Sequence, residues 1–322
     1  MNSLLLKNYI QNLKRYVNDP NVQKLDFWKE KYESMFLKAN SEEKRYLFEL
    51  SILLNWQDKV EVCLKNGVDP NGCCVLNDLV NQKIQNVLEK PHFKTMHYLE
   101  SIIFNVVHFN FEIIWTPLTM ALQLNHFKIA ELMMEKANLG ETCSVKNRDR
   151  DIEKSVYMDF NSEWSPLLVL LNLGKNKVYS KIKMKLIHKV LKKHPIVDGL
   201  DPLRPYYASI FCISNNDDKM LKLLEPFIQT WNEKDEEGLT RMGYFLRKHT
   251  MYTSALNNPK EVDSKSNMFK ILLKNSVLSH EDEKIIENDE CLKNWRVEYE
   301  KELLNASIPS ASKLKSKHKI FI

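Results

Sequence analysis

Apolar residues recur at helical spacing along most of the chain. After Thr116-Pro117, an apolar stretch at 118–122 gives way to the polar pair at 125–126, and a second apolar run starts at Ile129 with three- and four-residue steps. This spacing is typical of an amphipathic helix. Because Thr is a favourable N-cap and Pro suits the first helical position, the pattern predicts a helix, a short polar break and a second helix.

The same pattern returns further along the chain. Trp115-Thr116-Pro117-Leu118 recurs as Trp164-Ser165-Pro166-Leu167, and a weaker copy lies at 235–240. The spacing of the copies is uneven, which indicates that some repeats carry insertions. The composition agrees with helices, since strands need frequent turns and the 322 residues include only 7 Gly and 11 Pro. The chain is therefore predicted to be all-α.

These residues resemble the ankyrin repeat, whose pattern is D-x-x-G-x-T-P-L-H-x-A-x-x-x-G-H, followed by an I-V-x-x-L-L helix and G-A-D. Residues 116–138 match most of it, 165–174 match its first helix, and 65–71 match its end. Thr119 and Leu168 replace the His of T-P-L-H. The resemblance implies an all-α ankyrin-repeat solenoid of stacked helix pairs with helical N- and C-terminal caps. It also implies that His126, at the pattern's last His, forms a hydrogen bond between helices.

The resemblance divides the chain into a cap, a run of repeats, a second cap and a tail. We expect the helical N-terminal cap at 1–45, C-terminal cap helices at 277–306 and a flexible tail at 307–322. Degenerate ankyrin repeats fill 46–276, with an insertion at 138–164 that is longer than a plain hairpin finger. The expected repeats are 46–72, 75–112 (the most degenerate), 116–140, 165–198, 201–232 and 235–276.

In ankyrin proteins, the finger tips and the first helices line a concave groove that holds a protein partner. Trp115 and Trp164 lie where a finger joins a first helix, and Trp is enriched at binding hot spots. Packing between neighbouring fingers is the alternative role for these two side chains. By the same resemblance, the other contacts come from the remaining finger and first-helix positions, which are Glu112, Ile113, Gln123, Leu124, Asn161, Ser162, Asn172, Glu236, Glu237 and Leu239.

A lysine-rich helix is predicted at 180–193. Lys181, Lys185, Lys189 and Lys192 line one outer face of it, opposite an apolar stripe. A basic amphipathic helix can contact anionic lipid or an acidic protein, so peripheral contact with anionic lipid is one hypothesis. The alternative, which the apolar stripe favours, is a solvated second helix of a repeat. The net charge of +5 is too small to indicate a nucleic-acid partner.

No motif for catalysis, a cofactor or a metal stands out. Phosphate-loop, dinucleotide, zinc-protease and serine-hydrolase signatures are missing, the 6 Cys form no C-x-x-C pair, and His92 and His97 have no Cys at ligand spacing. We expect reduced thiols, with Cys63 and Cys212 in the core and Cys143 exposed in the insertion. A non-enzymatic protein is expected, and the alternative is a cysteine hydrolase or transferase built partly on the insertion and the C-terminal third.

The amino-acid composition and the eroded repeats indicate which kind of ankyrin protein this sequence resembles. It is rich in Lys, Asn and Ile with eroded repeats, and so resembles the ankyrin effectors that intracellular bacterial pathogens inject into host cells by type IV secretion. The Ser/Lys-rich segment 307–322 ends in apolar residues, as their export signals do, although a frayed terminus has the same composition. A viral host-range ankyrin protein is the alternative.

Location and partners follow as expectations. The apolar run at 1–9 is too short for a signal peptide, and no stretch approaches the roughly 20 apolar residues of a membrane span. We expect a cytoplasmic monomer that, if it is an effector, is secreted into the host cell and binds a host protein there.

Overall fold

The structure is a computed structural model, and it describes residues 2–17, 22–88, 111–147, 163–173, 180–193, 207–234, 238–251 and 259–307. Of the residues described, 74% are helical, which confirms the predicted all-α class. The chain divides into two compact units, which we call unit 1 (Met1–Ile196) and unit 2 (Val197–Ile322). The sequence predicted one run of repeats over 46–276, with an insertion at 138–164, and the boundary between the units falls inside that run.

Unit 1 contains helices and three short strands. In chain order they are α1 (Asn2–Tyr16), α2 (Val22–Lys38), α3 (Ser41–Leu53), α4 (Gln57–Lys65), α5 (Asn77–Leu88), β1 (Phe111–Ile114), α6 (Pro117–Gln123), α7 (Phe127–Met133), β2 (Cys143–Asn147), β3 (Glu163–Trp164), α8 (Pro166–Asn172) and α9 (Ser180–Lys193).

The helix pairs of unit 1 pack in two rows. In the first-helix row α3 packs on α6 and α6 on α8, and in the second-helix row α4 packs on α7 and α7 on α9. Each first helix also packs on the second helix that follows it. The hairpin of α1 and α2 packs on α3 and α4, so it covers the first layer of this stack.

The segment predicted as the second repeat, 75–112, does not form a layer of the stack. α3 packs directly on α6, and α4 packs directly on α7, so no layer lies between them. Its helix α5 instead packs beside β1, while 89–110 lie outside the described residues. The physical reason lies in the pattern of α5, which is apolar on one stripe only, whereas a helix inside a stack is buried on several sides.

A single turn geometry joins the helices of three pairs, one of them in unit 2. Asn55, Asn125 and Asn216 each adopt a left-handed backbone, with φ of 58°, 60° and 51°. In the second of these turns the N–H of Asn125 donates to the carbonyl of Leu122 at 2.9 Å, and the N–H of His126 donates to that of Ala121 at 2.9 Å. The other two turns repeat both bonds. Asn tolerates this conformation better than most residues, which explains its recurrence where the ankyrin pattern has Gly.

A small antiparallel sheet modifies the all-α expectation. Its strand order is β1-β2-β3, with Ile114 opposite Ser144 and Cys143 opposite Trp164. β2 belongs to the predicted insertion, so this part of the insertion joins the two finger strands instead of forming a free loop. The rest of the insertion, 148–162, lies outside the described residues.

The two finger strands lead directly into capped helices. The Thr116 hydroxyl accepts the N–H of Thr119, and the N–H of Thr116 donates to the Thr119 hydroxyl at 3.0 Å, so the two residues form a capping box. The hydroxyl of Ser165 accepts the N–H of Leu168 in the same way at 3.3 Å. The predicted N-caps are confirmed, and Thr119 in place of the pattern's His completes the cap.

Unit 2 repeats the two-row arrangement. Its elements are α10 (Tyr207–Ser214), α11 (Asp218–Leu224), a 3-10 turn (Glu225–Phe227), α12 (Arg241–Met251), α13 (Pro259–Asn275), α14 (His280–Asn288) and α15 (Glu290–Ser307). α10, α12 and α14 form its first-helix row, and α11, α13 and α15 form its second-helix row. The helices of the predicted C-terminal cap therefore continue both rows as one more pair.

Lysine ammonium groups bind backbone carbonyls at the C-terminal ends of several helices. The last carbonyls of a helix have no partner within it and carry partial negative charge. The bonds run from Lys83 to Val17, from Lys136 to Leu64, from Lys183 to Leu173, from Lys193 to Met134 and from Lys248 to Ser214. Each lysine lies in, or just after, a helix other than the one whose end it binds, so the bond joins two elements of the fold.

The turn asparagines give a first prediction. Replacing Asn125 with Val should lower the free energy of unfolding by about 1–2 kcal/mol, because a β-branched side chain is strained at positive φ. Replacing Asn125 with Gly should change it by less than about 0.5 kcal/mol, because Gly adopts this conformation without strain. Urea unfolding followed by circular dichroism measures both variants. Equal losses in both would show that the Asn side chain, and not its backbone, stabilises the turn.

The partly buried histidine that precedes α7 gives a second prediction. The Nδ1 of His126 lies 2.8 Å from the carbonyl of Ile52, which confirms the predicted bond between helices. Burial lowers the pKa of His126 to about 4, with a smaller effect of the same sign from Lys83. As the pH falls through about 6.5, His126 therefore takes up a proton in the unfolded chain, whereas in the folded protein it stays neutral until about pH 4. Stability is full above that pH and should fall by about 2 kcal/mol between pH 7.5 and pH 4.5.

The matched variant is His126→Gln, which has no group titrating at this position. Urea unfolding at pH 7.5 and at pH 4.5 should show a smaller loss for His126→Gln than for the unsubstituted protein. An equal loss in both proteins would assign the pH dependence to other groups.

Candidate protein-binding surface

Trp115, the first predicted hot spot, is enclosed by helix α5 and is 1% exposed. Its indole N–H donates to the Asn81 side-chain oxygen at 2.7 Å, and its backbone N–H donates to the Asn77 side-chain oxygen at 2.9 Å. Both asparagine amides also donate to the carbonyl of Ile113, at 2.5 and 3.1 Å. The prediction that Trp115 faces an open groove is therefore wrong for this structure, because a helix of the same chain satisfies both of its donors.

The other predicted contacts of unit 1 are also interior. Trp164 is 3% exposed, and Ile113, Gln123 and Leu124 are buried too. For Trp164, the packing alternative holds. The reason is that α6 is buried along its whole length, so its groove positions meet protein and not solvent. The side-chain oxygen of Gln123 is buried without a hydrogen-bond partner among the described residues.

The structure describes only some of the remaining predicted contact residues. Glu112 lies in β1 and Asn172 in α8, but the surroundings of their side chains are not described. Leu239 is half-buried just before α12. Outside the described residues lie Asn161, Ser162, Glu236 and Glu237.

The lysine-rich helix α9 is largely neutralised by its neighbour α7. Lys185 pairs with Glu131 at 2.6 Å, and Lys189 pairs with both Glu131 and Glu135. Hydrogen bonds from Lys189 and Lys193 lower the pKa of the Glu135 carboxyl. The structure therefore supports the alternative of a second helix in a stack. Of the predicted basic patch, Lys181 and Lys192 are exposed, with no carboxylate at ion-pair distance in the described segments.

Unit 2 presents an open face on its first-helix row. In α12, Met242, Phe245 and Leu246 are buried, whereas Tyr244 is half-exposed and Arg247 is exposed. In α10, Ile210, Phe211 and Ser214 are half-exposed while Cys212 and Ile213 are buried. Because the buried stripes pack on the second-helix row, these exposed stripes face away from it. We call the side of a first-helix row that faces away from its second-helix row the groove side.

The groove side of unit 2 is rigid. The hydroxyls of Tyr244 and Ser214 lie 2.9 Å apart, which ties α12 to α10. A β-carbon placed on Gly243 would lie 3.5 Å from Leu239 and 3.7 Å from the Asp282 carboxylate, so these two side chains approach α12 closely at this glycine. Sequence reasoning missed Phe211, Tyr244 and Arg247, although their helical spacing opposite the buried stripe was a usable signal.

Arg247 and Lys248 are consecutive basic residues of α12. Lys248 donates to the carbonyl of Ile213 at 3.1 Å. Burial lowers the pKa of Lys248 to about 8, with help from the nearby charge of Lys265. The nearby carboxylate of Glu261 acts in the opposite direction.

Beneath this face lies a buried histidine, His249. Its ring centroid lies 5.5 Å from that of Trp295, and its Nε2 lies 3.3 Å from a carboxylate oxygen of Asp289. Burial lowers the pKa of His249, and the carboxylate of Asp289 opposes that effect. Burial also raises the pKa of the Cys291 thiol, and Asp289 acts in the same direction.

The cysteines do not support the enzyme alternative. A catalytic thiol needs a lowered pKa, whereas burial raises the pKa of Cys63 to about 12 and that of Cys74 well above its ordinary value. Cys143 is 1% exposed in β2, so the expectation that it is exposed is wrong. The expected core positions of Cys63 and Cys212 are confirmed.

The described segments show neither a metal site nor a membrane-spanning helix. No group of three or more His, Cys, Asp or Glu side chains there is placed to hold a metal ion. No helix in these segments is both long and apolar enough to cross a membrane.

Comparison with known proteins adds no relative. No protein-family model matches the chain, and no curated protein matches it. The resemblance to ankyrin repeats therefore rests on this chain alone, through the Thr-Pro-Leu and Ser-Pro-Leu caps, the left-handed asparagine turns and the two-row packing of helix pairs.

Proposed function

We propose that this chain is an ankyrin-type repeat protein whose function is to bind a protein partner, and that the groove side of unit 2 holds that partner. The observation that carries the proposal is the contrast between the two first-helix rows. α6 is buried along its whole length, whereas α10 and α12 present Phe211, Tyr244 and Arg247. Tyr and Arg are among the residues that most often dominate binding energy at protein interfaces.

The geometry of this face suits a protein surface. Tyr244 is held in place by Ser214, so binding sacrifices little side-chain freedom. Arg247 lies close to one helical turn beyond Tyr244, so the two side chains leave α12 on the same side. The matching partner carries a carboxylate for Arg247 beside an aliphatic or aromatic side chain for Phe211.

We further propose that the partner is a host protein and that the chain is a bacterial effector. The support is the resemblance in texture to type IV secreted ankyrin effectors and the Ser/Lys-rich composition of 307–322. A viral ankyrin protein would bind its partner in the same way without an export signal. The export experiment below distinguishes the two origins.

The binding proposal predicts a specific loss on mutation. Tyr244→Ala and Arg247→Ala together should weaken capture of the partner from host lysate by at least roughly 30-fold, since one hot-spot side chain contributes about 2 kcal/mol or more. The matched control is Lys219→Ala with Lys222→Ala, two exposed residues on the second-helix row of the same unit. Quantitative mass spectrometry of captured proteins compares the three samples after circular dichroism has shown equal folding.

Two results would contradict the placement of the site. Undiminished capture by the Tyr244/Arg247 variant would remove the groove side of unit 2 from the interface. Loss of capture in the Lys219/Lys222 variant alone would place the interface on the second-helix row.

The export proposal predicts that residues 308–322 are needed for translocation but not for stability. Deleting them should leave the melting temperature within about 1 °C, because an aperiodic polar segment contributes little to a core. A translocation reporter fused to the N-terminus should lose its signal in host cells. Undiminished translocation would argue against the effector assignment, and a large drop in melting temperature would show that the segment stabilises the fold.

A further inference from the structure

We infer that α5 is an internal ligand seated on the groove side of unit 1, and that it masks a second binding site there for an amphipathic helix of matching pattern. The inference does not depend on the site proposed in unit 2. It begins from the finding that α5 belongs to neither row of the stack. The helices before it in the sequence, α3 and α4, pack directly on the helices after it, α6 and α7.

The hydrogen bonds of α5 place it against three elements. At its start, the N–H groups of Val75 and Leu76 donate to the Glu49 carboxylate of α3 at 3.0 and 2.8 Å. Along its length, Asn77 and Asn81 bind the backbone of β1 and Trp115. Towards its end, Lys83 donates to the carbonyl of Val17, just after α1.

These anchors fix the side of the stack on which α5 lies. α4 and α7 cover one side of the first-helix row, and the hairpin α1–α2 covers its end. Even so, residues 47–53 of α3 and all of α6 are buried, including the polar side chains of Glu49 and Gln123. A helix that contacts α3 at Glu49 and the finger strand at Trp115 lies in the angle between helices and fingers, which is the groove side.

The way α5 is held is that of a bound peptide helix. Leu76, Val80 and Ile84, at four-residue spacing, are all buried, and they form an apolar stripe among the described side chains of this segment. Gln82, on another side of the helix, is exposed. Such a stripe in a groove is a common mode of peptide recognition, and here side-chain amides add the polar specificity.

Unit 1 also retains its stack without α5. The contacts of α3 with α6 and of α4 with α7 do not pass through it, and neither does the bond from His126 to Ile52. When α5 leaves, water can replace its bonds to Glu49, Ile113 and Trp115. The groove that is then exposed contains the indole of Trp115 and the carboxylate of Glu49.

The matching ligand is therefore an amphipathic helix with aliphatic residues four apart and carboxamides one position after them. α5 itself has this pattern, with Asn77 after Leu76 and Asn81 after Val80. A partner of this kind competes with α5. Its apparent affinity is its affinity for the open site multiplied by the small fraction of molecules in which α5 has left. The contact is thus autoinhibitory.

Two measurements on the full-length protein test this inference. The first is native-state hydrogen exchange of the unsubstituted protein, read by mass spectrometry of peptides. The amides of 77–88 should exchange at least tenfold faster than those of α3 and α6, through an opening that leaves the stack protected. Exchange of α5 at the same rate as α3 and α6 would show that it is an integral part of unit 1 and would overturn the inference.

The second measurement uses a labelled synthetic peptide of residues 75–88 and fluorescence anisotropy. The variant Val80→Ser with Ile84→Ser weakens the resident helix and should bind the peptide at least tenfold more tightly than the unsubstituted protein. The matched control is Gln82→Ser, at an exposed position of α5, which should behave as the unsubstituted protein.

Equal peptide binding by all three proteins, or binding by none while the Val80/Ile84 variant is folded, would overturn the inference. If that variant loses its helical circular dichroism, the hydrogen exchange of the unsubstituted protein decides alone.

Discussion

The ends of helices are the constraint on which much of this architecture depends. A helix leaves four carbonyl groups without internal partners at its C-terminus, and a chain with 7 Gly in 322 residues has few positions for the usual glycine cap. Lysines from neighbouring helices supply donors, as Lys183 does for Leu173 and Lys193 for Met134. A hydrogen bond from a charged group contributes about 1.5–3 kcal/mol, so each such lysine can hold two helices together.

This use of lysine explains why the basic helix α9 is not a free cationic surface. Lys183 and Lys193 bind carbonyls, while Lys185 and Lys189 pair with acids of α7. α9 has no acid of its own, so its sequence alone suggests an unpaired face. The partners Glu131 and Glu135 come from a helix more than 40 residues earlier, which a local charge pattern cannot reveal. The run of lysines in α9 therefore indicates how two layers of the stack are joined, more than it indicates an exposed basic surface.

The sequence predicted those parts of the fold that depend on short-range chemistry. The N-caps at Thr116 and Ser165, the break before His126 and the core positions of Cys63 and Cys212 follow from spacing and side-chain type. It did not predict that β2 would pair with both finger strands, because four- or five-residue strands carry little periodic signal.

The candidate site was predicted less well for a related reason. Periodicity shows that one side of a helix is apolar, but not what covers the other side. Trp115 and Gln123 were assigned to a groove from their place in the repeat, and the structure covers both. Phe211, which stays half-exposed, lies in a segment where the repeat pattern is weak. Among the described residues of unit 2, no helix covers this side of α10 and α12, and the local sequence cannot reveal what packs there.

The residue that orients α5 also affects its release. Glu49 occupies the position of the pattern's His in the first repeat, and its carboxylate is fully buried. Burial raises the pKa of Glu49 even though the N–H groups of Val75 and Leu76, and then Arg45, act in the opposite direction. A raised pKa means that at neutral pH the ionised carboxylate is less stable in its docked surroundings than in water. Undocking of α5 would remove the two hydrogen bonds from Val75 and Leu76, so only water that reaches the carboxylate could replace them. Glu49 therefore gives α5 a specific seat, and the solvent access of its carboxylate decides how readily that seat can be left.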